Sequence, residues 1–226
     1  MAIKLASIGF YYPDRPDHPV LNIPQWSLND ADQVLVCGSS GEGKSTLLSL
    51  ISGLYVPNTG EVTVLGQSLN SMNNRQRDRF RAENIGYVFQ QFNLIPYLNA
   101  IDNVLLAASF SLRQNTNALK AEIKTVFDGL NISEKDWCRP TRELSIGQQQ
   151  RVAIARALIN KPKIFIADEP TSSLDDENKH AFMQLLMPMV TENKMTLLFV
   201  SHDKSLSSYF EKVESLSDFN LKEGIE

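Results

Sequence analysis

The stretch GSSGEGKS at residues 38–45 has the spacing of a loop that binds phosphate. It matches the pattern GxxxxGK[ST] at every fixed position. Glycines in such a loop let successive backbone N–H groups point at phosphate, and the following helix adds its positive N-terminal end. In this pattern Lys44 reaches the β- and γ-phosphates and the Ser45 hydroxyl ligates magnesium. The residues expected around the phosphates are Gly38, Ser39, Ser40, Gly41, Glu42, Gly43, Lys44, Ser45 and Thr46.

Glu42 is an unusual residue for this loop, because it brings a carboxylate close to a nucleotide that would itself carry several negative charges. Side chains of such loops mostly face away from the phosphates that the N–H groups face. We therefore expect Glu42 to point outward, into solvent or toward a partner. Our hypothesis is that its charge weakens phosphate affinity slightly.

The run IFIADEP at 164–170 supplies the second half of a nucleotide site. Its apolar residues predict a buried strand, so that Asp168 emerges at the strand end, where magnesium would lie. Glu169 would act on the attacking water, either as general base or by orienting it. Alone this pattern is weak, because a strand often ends in a solvated acidic turn. Together with the phosphate loop it favours a nucleotide hydrolase.

Two more polar side chains follow apolar runs. His202 comes directly after FVS, and Gln90 ends a β-like run in GYVFQQFN. If parallel strands end at one edge of a sheet, His202 would lie near Asp168 and Glu169 and could hydrogen-bond a γ-phosphate. The Gln90 side-chain oxygen could approach magnesium or the attacking water. Each of the two, taken alone, is as compatible with a structural role.

The elements that must position these residues follow from hydrophobic periodicity. QVLVC (33–37), KIFIAD (163–168) and TLLFVS (196–201) are apolar runs typical of buried strands, and amphipathic helical stretches alternate with them. This order predicts a parallel sheet flanked by helices, with ligands at the carboxyl ends of its strands. The proline-rich PDRPDHP (13–19) predicts a loop between two edge strands. Residues from about 92 to 143 predict helices with little strand signal, as an inserted helical subdomain.

Composition narrows the classes of function. The chain has 226 residues, 42% of them hydrophobic, and its net charge of −4 gives no global field that favours nucleic acid. Cys37 and Cys138 form neither a CxxC pair nor a zinc pattern, which favours a reducing, cytoplasmic setting. The N-terminus lacks the apolar segment of a signal peptide, and no apolar run approaches the roughly 20 residues of a membrane-spanning helix.

The stretch LSIGQQQR at 144–151 places Ser145 and Gly147 at the start of a predicted helix, with no metal-ligand cluster or nucleophile beside them. With this stretch included, the residues resemble the ATP-binding subunit of ABC transporters over essentially the whole chain. LSIGQ separates that family from other proteins with the same loop. The motifs, in the family's order, are GSSGEGKS as Walker A, Gln90 of the Q-loop, the signature LSIGQ, IFIADE as Walker B, SSLD (172–175) as the D-loop and the switch histidine His202.

The resemblance implies the fold, the domain and the assembly. The expected fold is an α/β P-loop NTPase core with a mostly parallel sheet, an N-terminal antiparallel β region and an inserted helical subdomain. Residues 1–226 would form one ATPase domain, with 1–91 and 144–226 as its core and about 92–143 as the helical subdomain. Two copies would face each other head to tail around two ATP molecules.

The resemblance also implies roles for further residues. Ser145, Gly147 and Gln148 would contact ATP held by the other copy, and Asp175 would contact the other copy directly. Ile146 replaces the commoner glycine and should do little harm. An aromatic residue should stack on adenine, for which Tyr12 is the best match and Tyr11 the alternative. The implied cofactors are ATP and Mg²⁺.

The partner implied by the resemblance is a membrane-spanning permease, which would hold a homodimer of this chain at the inner face of the cell membrane. The chain looks most like the lipoprotein-release and macrolide-efflux group. The alternative is a regulatory ATPase of the cell-division type, which signals through a membrane partner without transport. Phe92, Leu94 and Ile95 would either contact the partner or pack inside the helical subdomain.

Overall fold

The computed structural model describes residues 1–111, 117–172 and 174–221. Ser173 of the predicted SSLD segment lies outside them. The strands are β1 (Ile3–Phe10), β2 (Leu21–Leu28), β3 (Gln33–Cys37), β4 (Thr59–Val64), β5 (Gln67–Ser68), β6 (Ile85–Val88), β7 (Ile164–Asp168), β8 (Thr196–Ser201) and β9 (Lys212–Ser215). The helices are α1 (Lys44–Ile51), α2 (Asn74–Asn84), α3 (Ala100–Ser109), α4 (Asn117–Gly129), α5 (Glu134–Trp137), α6 (Ile146–Leu158), α7 (Asp176–Glu192) and α8 (Leu216–Phe219).

The central sheet is parallel throughout and has the strand order β6-β7-β8-β3-β9. Two predicted strands, 33–37 and 196–201, have the predicted bounds, and the third begins one residue later, at Ile164. The register pairs Cys37 with Ser201 and Asp168 with Val200. The carboxyl ends of β3, β7 and β8 therefore lie side by side, and the residues that follow them meet at one edge.

Each face of this sheet packs against its own hydrophobic core, because side chains of a strand alternate between faces. Phe165 and Phe199 belong to the core formed with α3, α4, α6 and α7. Their chain neighbours Ile166 and Leu198 belong to the core formed with α1, α2 and the N-terminal sheet. The parallel sheet is thus a buried middle layer, which explains why its strands are continuous apolar runs.

The N-terminal sheet is antiparallel, with the order β2-β1-β4-β5, so the predicted antiparallel β region is confirmed. The prediction that residues 13–19 join two edge strands was wrong for one of the two. β2 is an edge strand, but β1 lies between β2 and β4. The reason is β4, whose sequence TGEVTV begins with three exposed residues and gives a weak strand signal.

The described residues between β6 and α6 form helices α3, α4 and α5. These helices share a continuous core with the parallel sheet, in which Val104 and Phe127 join Phe165. Phe92 is also buried in this core, so it packs inside the protein rather than facing a partner. The division into a core and a helical subdomain stays a prediction. No helix within the described ranges is long and apolar enough to cross a bilayer.

Candidate nucleotide-binding site

The loop 38–43 joins β3 to α1 at the carboxyl end of the parallel sheet. Gly43, immediately before the helix, has a φ of 105°, which L side chains rarely adopt. A Cβ at this position would lie 3.0 Å from Leu21 Cδ2 and 3.2 Å from the Val20 carbonyl oxygen. Both the backbone conformation and the close approach of β2 therefore require glycine here.

The N-terminal end of α1 is open to an anion. The first helical hydrogen bond runs from Leu47 N to Gly43 O, at 2.8 Å, and Gly43 provides no side-chain cap. The first amides of a helix have no partner within it. The N–H groups that precede Leu47 can therefore bind a phosphate, together with the positive end of the helix dipole.

The Lys44 ammonium lies inside the loop. Its Nζ donates to the carbonyl oxygens of Gly38 and Ser39, at 2.7 and 2.9 Å. It is also 3.2 Å from Glu169 Oε1. The Lys44 side chain is only 6% exposed, so loop carbonyls and a carboxylate replace the water around this cation. An incoming phosphate would compete with these three oxygens for Lys44.

Glu169 follows β7 in a left-handed conformation, with φ of 46°. Successive residues of a strand point to opposite faces, but this turn lets Asp168 and Glu169 both line one cavity. Glu169 Oε2 is 2.8 Å from His202 Nδ1. Since an ionised carboxylate only accepts, His202 Nδ1 is the donor in this contact.

Asp168 has an oxygen-rich environment. Its carboxylate accepts hydrogen bonds from Ser45 and, at 3.4 Å, from the Tyr87 hydroxyl. Burial raises the pKa of Asp168, and the hydrogen bond from Ser45 partly opposes this rise. Burial and the charge of Asp168 also raise the pKa of Tyr87, so its hydroxyl stays protonated and donates.

The donor set around Asp168 suits magnesium rather than zinc. Ser45 and Asp168 offer hard oxygen ligands, and Gln90 lines the same cavity. Magnesium is usually bound by one or two carboxylates together with substrate phosphates. No cluster of three or more His, Cys, Asp or Glu in the described part of the chain could hold a metal by itself. The residues therefore fit a cation that arrives with a nucleotide.

Tyr12 and Gln90 both line the cavity. The Tyr12 hydroxyl is 2.9 Å from Thr46 Oγ1, and its ring packs edge-on against Tyr55 at 5.9 Å. Tyr11 is exposed and does not line the cavity. Gln90 Nε2 donates to Ser172 Oγ at 3.2 Å.

These side chains surround a cavity of about 840 Å³, a size usual for a ligand such as a nucleotide. The structure brings together most of the residues that the sequence predicts for the site. The predicted residues that line the cavity are Tyr12, Ser39, Ser40, Gly41, Gly43, Lys44, Ser45, Thr46, Gln90, Asp168, Glu169 and His202. Gly38, Glu42, Ser145, Gly147, Gln148 and Asp175 do not line it.

Arg15, His18 and Val20 also line the cavity, and the sequence did not indicate them. The prolines around them predict a loop, but only the packing of Val20 and Leu21 against Gly43 folds that loop beside the phosphate site. The adjacent Tyr12 is the one signal that could have found them. Arg15 is cationic, so it adds positive charge near a bound nucleotide.

The prediction that Glu42 points outward was wrong. Its Oε2 has no solvent-accessible surface and no hydrogen-bond partner among the described residues. A Cβ on Gly38 would lie 2.5 Å from this oxygen, so the side chain folds back beneath the loop. The absence of a side chain at Gly38 leaves the space that it occupies.

The signature residues lie at the exposed N-terminus of α6. Ser145 caps the helix, because its Oγ accepts from Gln148 N at 3.3 Å while its N donates to Gln148 Oε1 at 2.8 Å. A Cβ added to Gly147 would meet nothing within 4 Å. Asp175 is likewise exposed and caps α7 through Asn178 N. These residues face open space outside the cavity.

Sequence comparisons agree with this geometry. Residues 21–172 match a family model described as ABC transporter. The Lipoprotein-releasing system ATP-binding protein LolD of Xanthomonas oryzae pv. oryzae (strain MAFF 311018) is 33% identical over 205 residues, which are 91% of this chain and 83% of that protein.

Solved structures give the same result. The dimeric structure of MJ0796, a bacterial ABC transporter cassette, has a TM-score of 0.85 at 34% identity and covers 95% of this chain and 94% of its own. A dimeric post-hydrolysis state of the cassette MJ0796, bound to ADP and Pi, has a TM-score of 0.86 at 33% identity and covers 98% and 97%. The described fold is thus that of a known class of nucleotide-binding cassette.

Proposed function

Because the chain belongs to the ABC transporter family of ATPases, we propose that it hydrolyses ATP as one half of a dimer that encloses two ATP molecules. One observation carries this proposal. The cavity holds the phosphate loop with Asp168 and Glu169, whereas Ser145 and Gly147 lie outside it, at the exposed start of α6. A second copy would supply the missing side of each site.

ATP enters this scheme through the phosphate loop. Its phosphates accept from the amides at the start of α1 and from Lys44, and its adenine stacks on Tyr12, which lines the same cavity. Ser45, Asp168 and Gln90, which line the cavity, would hold Mg²⁺. When bound, the metal supplies positive charge that offsets the negative charge of the transferred phosphoryl group.

Glu169 and His202 act on the water. Phosphate draws Lys44 away from Glu169 Oε1, which lies 3.2 Å from its Nζ before nucleotide binds. Glu169 then orients a water or accepts its proton, while His202 holds the other carboxylate oxygen. The water oxygen bonds to the γ-phosphorus as the bond to the β,γ-bridging oxygen breaks, which yields ADP and phosphate.

The other copy completes the site. Ser145, Gly147 and Gln148 approach the γ-phosphate bound to the facing chain, together with the positive end of α6. Asp175 lies at the contact between the copies, and Asp175 is exposed, as such a contact requires. The dimers of MJ0796, at 34% and 33% identity, support this arrangement.

We further propose that this dimer drives a membrane-spanning permease at the cytoplasmic face of the membrane, in lipoprotein release or a related export system. The names of the LolD relatives support this assignment. Residues 92–143, the proposed helical subdomain, would contact the permease. Leu106 and Phe110, 39% and 66% exposed, lie one turn apart at the end of α3, and Tyr97, 71% exposed, precedes that helix. Such exposed apolar groups suit a protein partner.

Steady-state ATP hydrolysis at increasing chain concentration tests the dimer. We expect ATP hydrolysis per chain to rise with chain concentration. Lys44→Ala should lower the hydrolysis rate by about 100-fold or more. Lys161→Ala is the matched control, because Lys161 is 74% exposed and pairs only with Glu122 among the ion pairs described. Activity per chain that is constant over a wide concentration range would contradict the shared site.

Co-purification tests the partner. The tagged chain, isolated from detergent-solubilised membranes of its own cells, should retain a permease, and Phe110→Glu should release it without reducing ATP binding. Identification of that permease decides between export and a regulatory role. Retention of the permease by Phe110→Glu would remove this residue from the interface.

A further inference from the structure

The Gln148 side chain is held at both ends. Its Oε1 accepts from Ser145 N at 2.8 Å, which closes the capping box of α6. Its Nε2 donates to Asp136 Oδ2 at 2.7 Å. Because a backbone N–H only donates and an ionised carboxylate only accepts, these two contacts fix which way the amide points. Gln148 is thereby locked between the helix cap and α5.

Asp136 is suited to hold this position, because it is a buried charge with defined partners. The residue is 1% exposed. Its Oδ1 lies 3.0 Å from Arg139 Nη1, and Arg139 Nη2 donates to the Glu143 carbonyl at 2.9 Å. A buried carboxylate is stable only when its oxygens are paired, so loss of either partner would be costly. Arg139 and Gln148 thus pair the two carboxylate oxygens of Asp136.

The consequence for Ser145 is chemical. Its Oγ accepts from Gln148 N, at 3.3 Å, which leaves the hydroxyl hydrogen free to donate to an anion. The orientation of this hydroxyl depends on the cap, and the cap depends on where Gln148 is held. Asp136 itself does not line the nucleotide cavity. The direct hydrogen-bonded route from Asp136 to bound ATP runs through Gln148 and Ser145 of the same chain.

We propose that Asp136 is a positioning residue for ATP-driven closure: its buried carboxylate fixes Gln148, and through it the Ser145 hydroxyl that meets the ATP of the facing copy. This inference rests on the proposed dimer. Asp136 therefore affects closure of two copies while leaving ATP binding by one copy unchanged.

A reversal of hydrogen-bond polarity tests the contact. Gln148→Glu keeps the capping box, since a glutamate also accepts from Ser145 N, but sets a carboxylate against Asp136. Asp136→Asn in the same chain restores the hydrogen bond with its direction reversed. The amide at position 136 now donates, and the carboxylate at position 148 accepts. The matched control is Asp128→Asn with Gln148→Glu, because Asp128 lies on α4 and is 56% exposed. All variants are made in the Glu169→Gln background.

Two quantities are measured at about pH 8, well above the ordinary pKa of a carboxyl group. Light scattering gives the ATP concentration for half-maximal dimerisation with Mg²⁺, and a fluorescent ATP analogue gives affinity for the dilute monomer. We expect Gln148→Glu to raise the ATP concentration for half-maximal dimerisation about tenfold, which is equivalent to the loss of about one charged hydrogen bond. Asp136→Asn should reverse most of this rise, and Asp128→Asn none of it. Monomer affinity should stay constant throughout.

Two results would overturn the inference. Dimerisation of Gln148→Glu at the parent ATP concentration would show that the contact does not matter. Equal recovery of dimerisation with Asp136→Asn and with Asp128→Asn would show that the effect comes from net charge and not from the contact between Asp136 and Gln148. A Glu169→Gln parent that binds ATP but never dimerises would instead contradict the proposed function itself. Thermal melting identifies a variant that fails to fold. If Gln148→Glu fails to fold, Asp136→Asn alone is tested in its place, and it should raise the ATP concentration for half-maximal dimerisation about threefold.

Discussion

Lys44 Nζ lies 3.2 Å from Glu169 Oε1, so the cation of the phosphate loop pairs with the carboxylate that follows β7. Both side chains are largely withdrawn from solvent, at 6% and 16% exposed. The pair therefore has a low-dielectric environment in which each charge depends on the other. Nucleotide phosphates would take Lys44 from this pair and leave Glu169 free for water, which couples binding to the readiness of the carboxylate.

Glu169→Gln should separate binding from hydrolysis. The amide weakens the contact with Lys44 and cannot accept a proton from water, so we expect ATP affinity to hold or rise while turnover falls by about 10²- to 10⁴-fold. Phosphate release and equilibrium ATP binding measure the two effects. Glu192→Gln, on the exposed end of α7, is the control. Hydrolysis at the wild-type rate would remove Glu169 from its proposed role.

Tyr12→Ala should weaken ATP binding about tenfold, because one base stacked on an aromatic ring contributes about 1–3 kcal/mol. Tyr11→Ala is the matched control, since Tyr11 does not line the cavity. Tyr12→Phe keeps the ring but loses the hydroxyl contact with Thr46 and should bind nearly as well as wild type. A larger loss of ATP affinity for Tyr11→Ala than for Tyr12→Ala in a fluorescent-nucleotide titration would assign adenine stacking to Tyr11.

Glu42→Ser should raise ATP affinity at low salt. The buried Oε2 of Glu42 has no described hydrogen-bond partner, and its charge opposes the phosphates. We expect about two- to fivefold tighter binding, with the difference shrinking as salt screens the charge. Removal of an unpaired buried group should also raise the free energy of unfolding by about 1 kcal/mol. Glu42→Gln, which keeps the shape, is the control, and equal affinity of all three proteins would contradict the charge effect.

Asp203→Asn should reduce stability in a pH-dependent way. Hydrogen bonds from Lys179 and Ser205 lower the pKa of Asp203 from 3.8 to about 2. A carboxyl group with a depressed pKa stabilises the folded state at pH values above its pKa in the unfolded chain. This stabilisation is lost as the pH falls toward its pKa in the folded protein. Urea unfolding at about pH 7 should show that Asp203→Asn lowers the free energy of unfolding by about 1–3 kcal/mol. The difference from wild type should shrink between about pH 4 and 2. Asp14→Asn, 77% exposed, is the control, and a loss that does not vary with pH would contradict the ionic origin.

Local sequence predicted the parallel sheet and most of the nucleotide cavity. β3, β7 and β8 are buried on both faces, so their sequences are apolar throughout, and the glycine spacing of the loop between β3 and α1 is fixed by backbone geometry. The residues that follow parallel strands must meet at one edge. Asp168 and His202 could therefore be placed near each other before any contact was known.

Features that depend on packing between distant segments could not be predicted. Arg15 and His18 line the cavity because the loop before β2 folds against Gly43. Glu42 turns inward because Gly38 leaves room for it. Asp136 meets Gln148 through a single side-chain hydrogen bond between α5 and α6, and no sequence period records that contact.

The central claim, that each ATP is shared by two copies, is tested most directly by the mass of Glu169→Gln with and without Ser145→Arg. With ATP and Mg²⁺, light scattering should give twice the 25.4 kDa of one chain for Glu169→Gln, with two ATP molecules per pair. Ser145→Arg fills the space beside the exposed start of α6, so the double variant should remain monomeric while each chain still binds ATP. An ATP-dependent dimer that forms equally well with Ser145→Arg would contradict the claim.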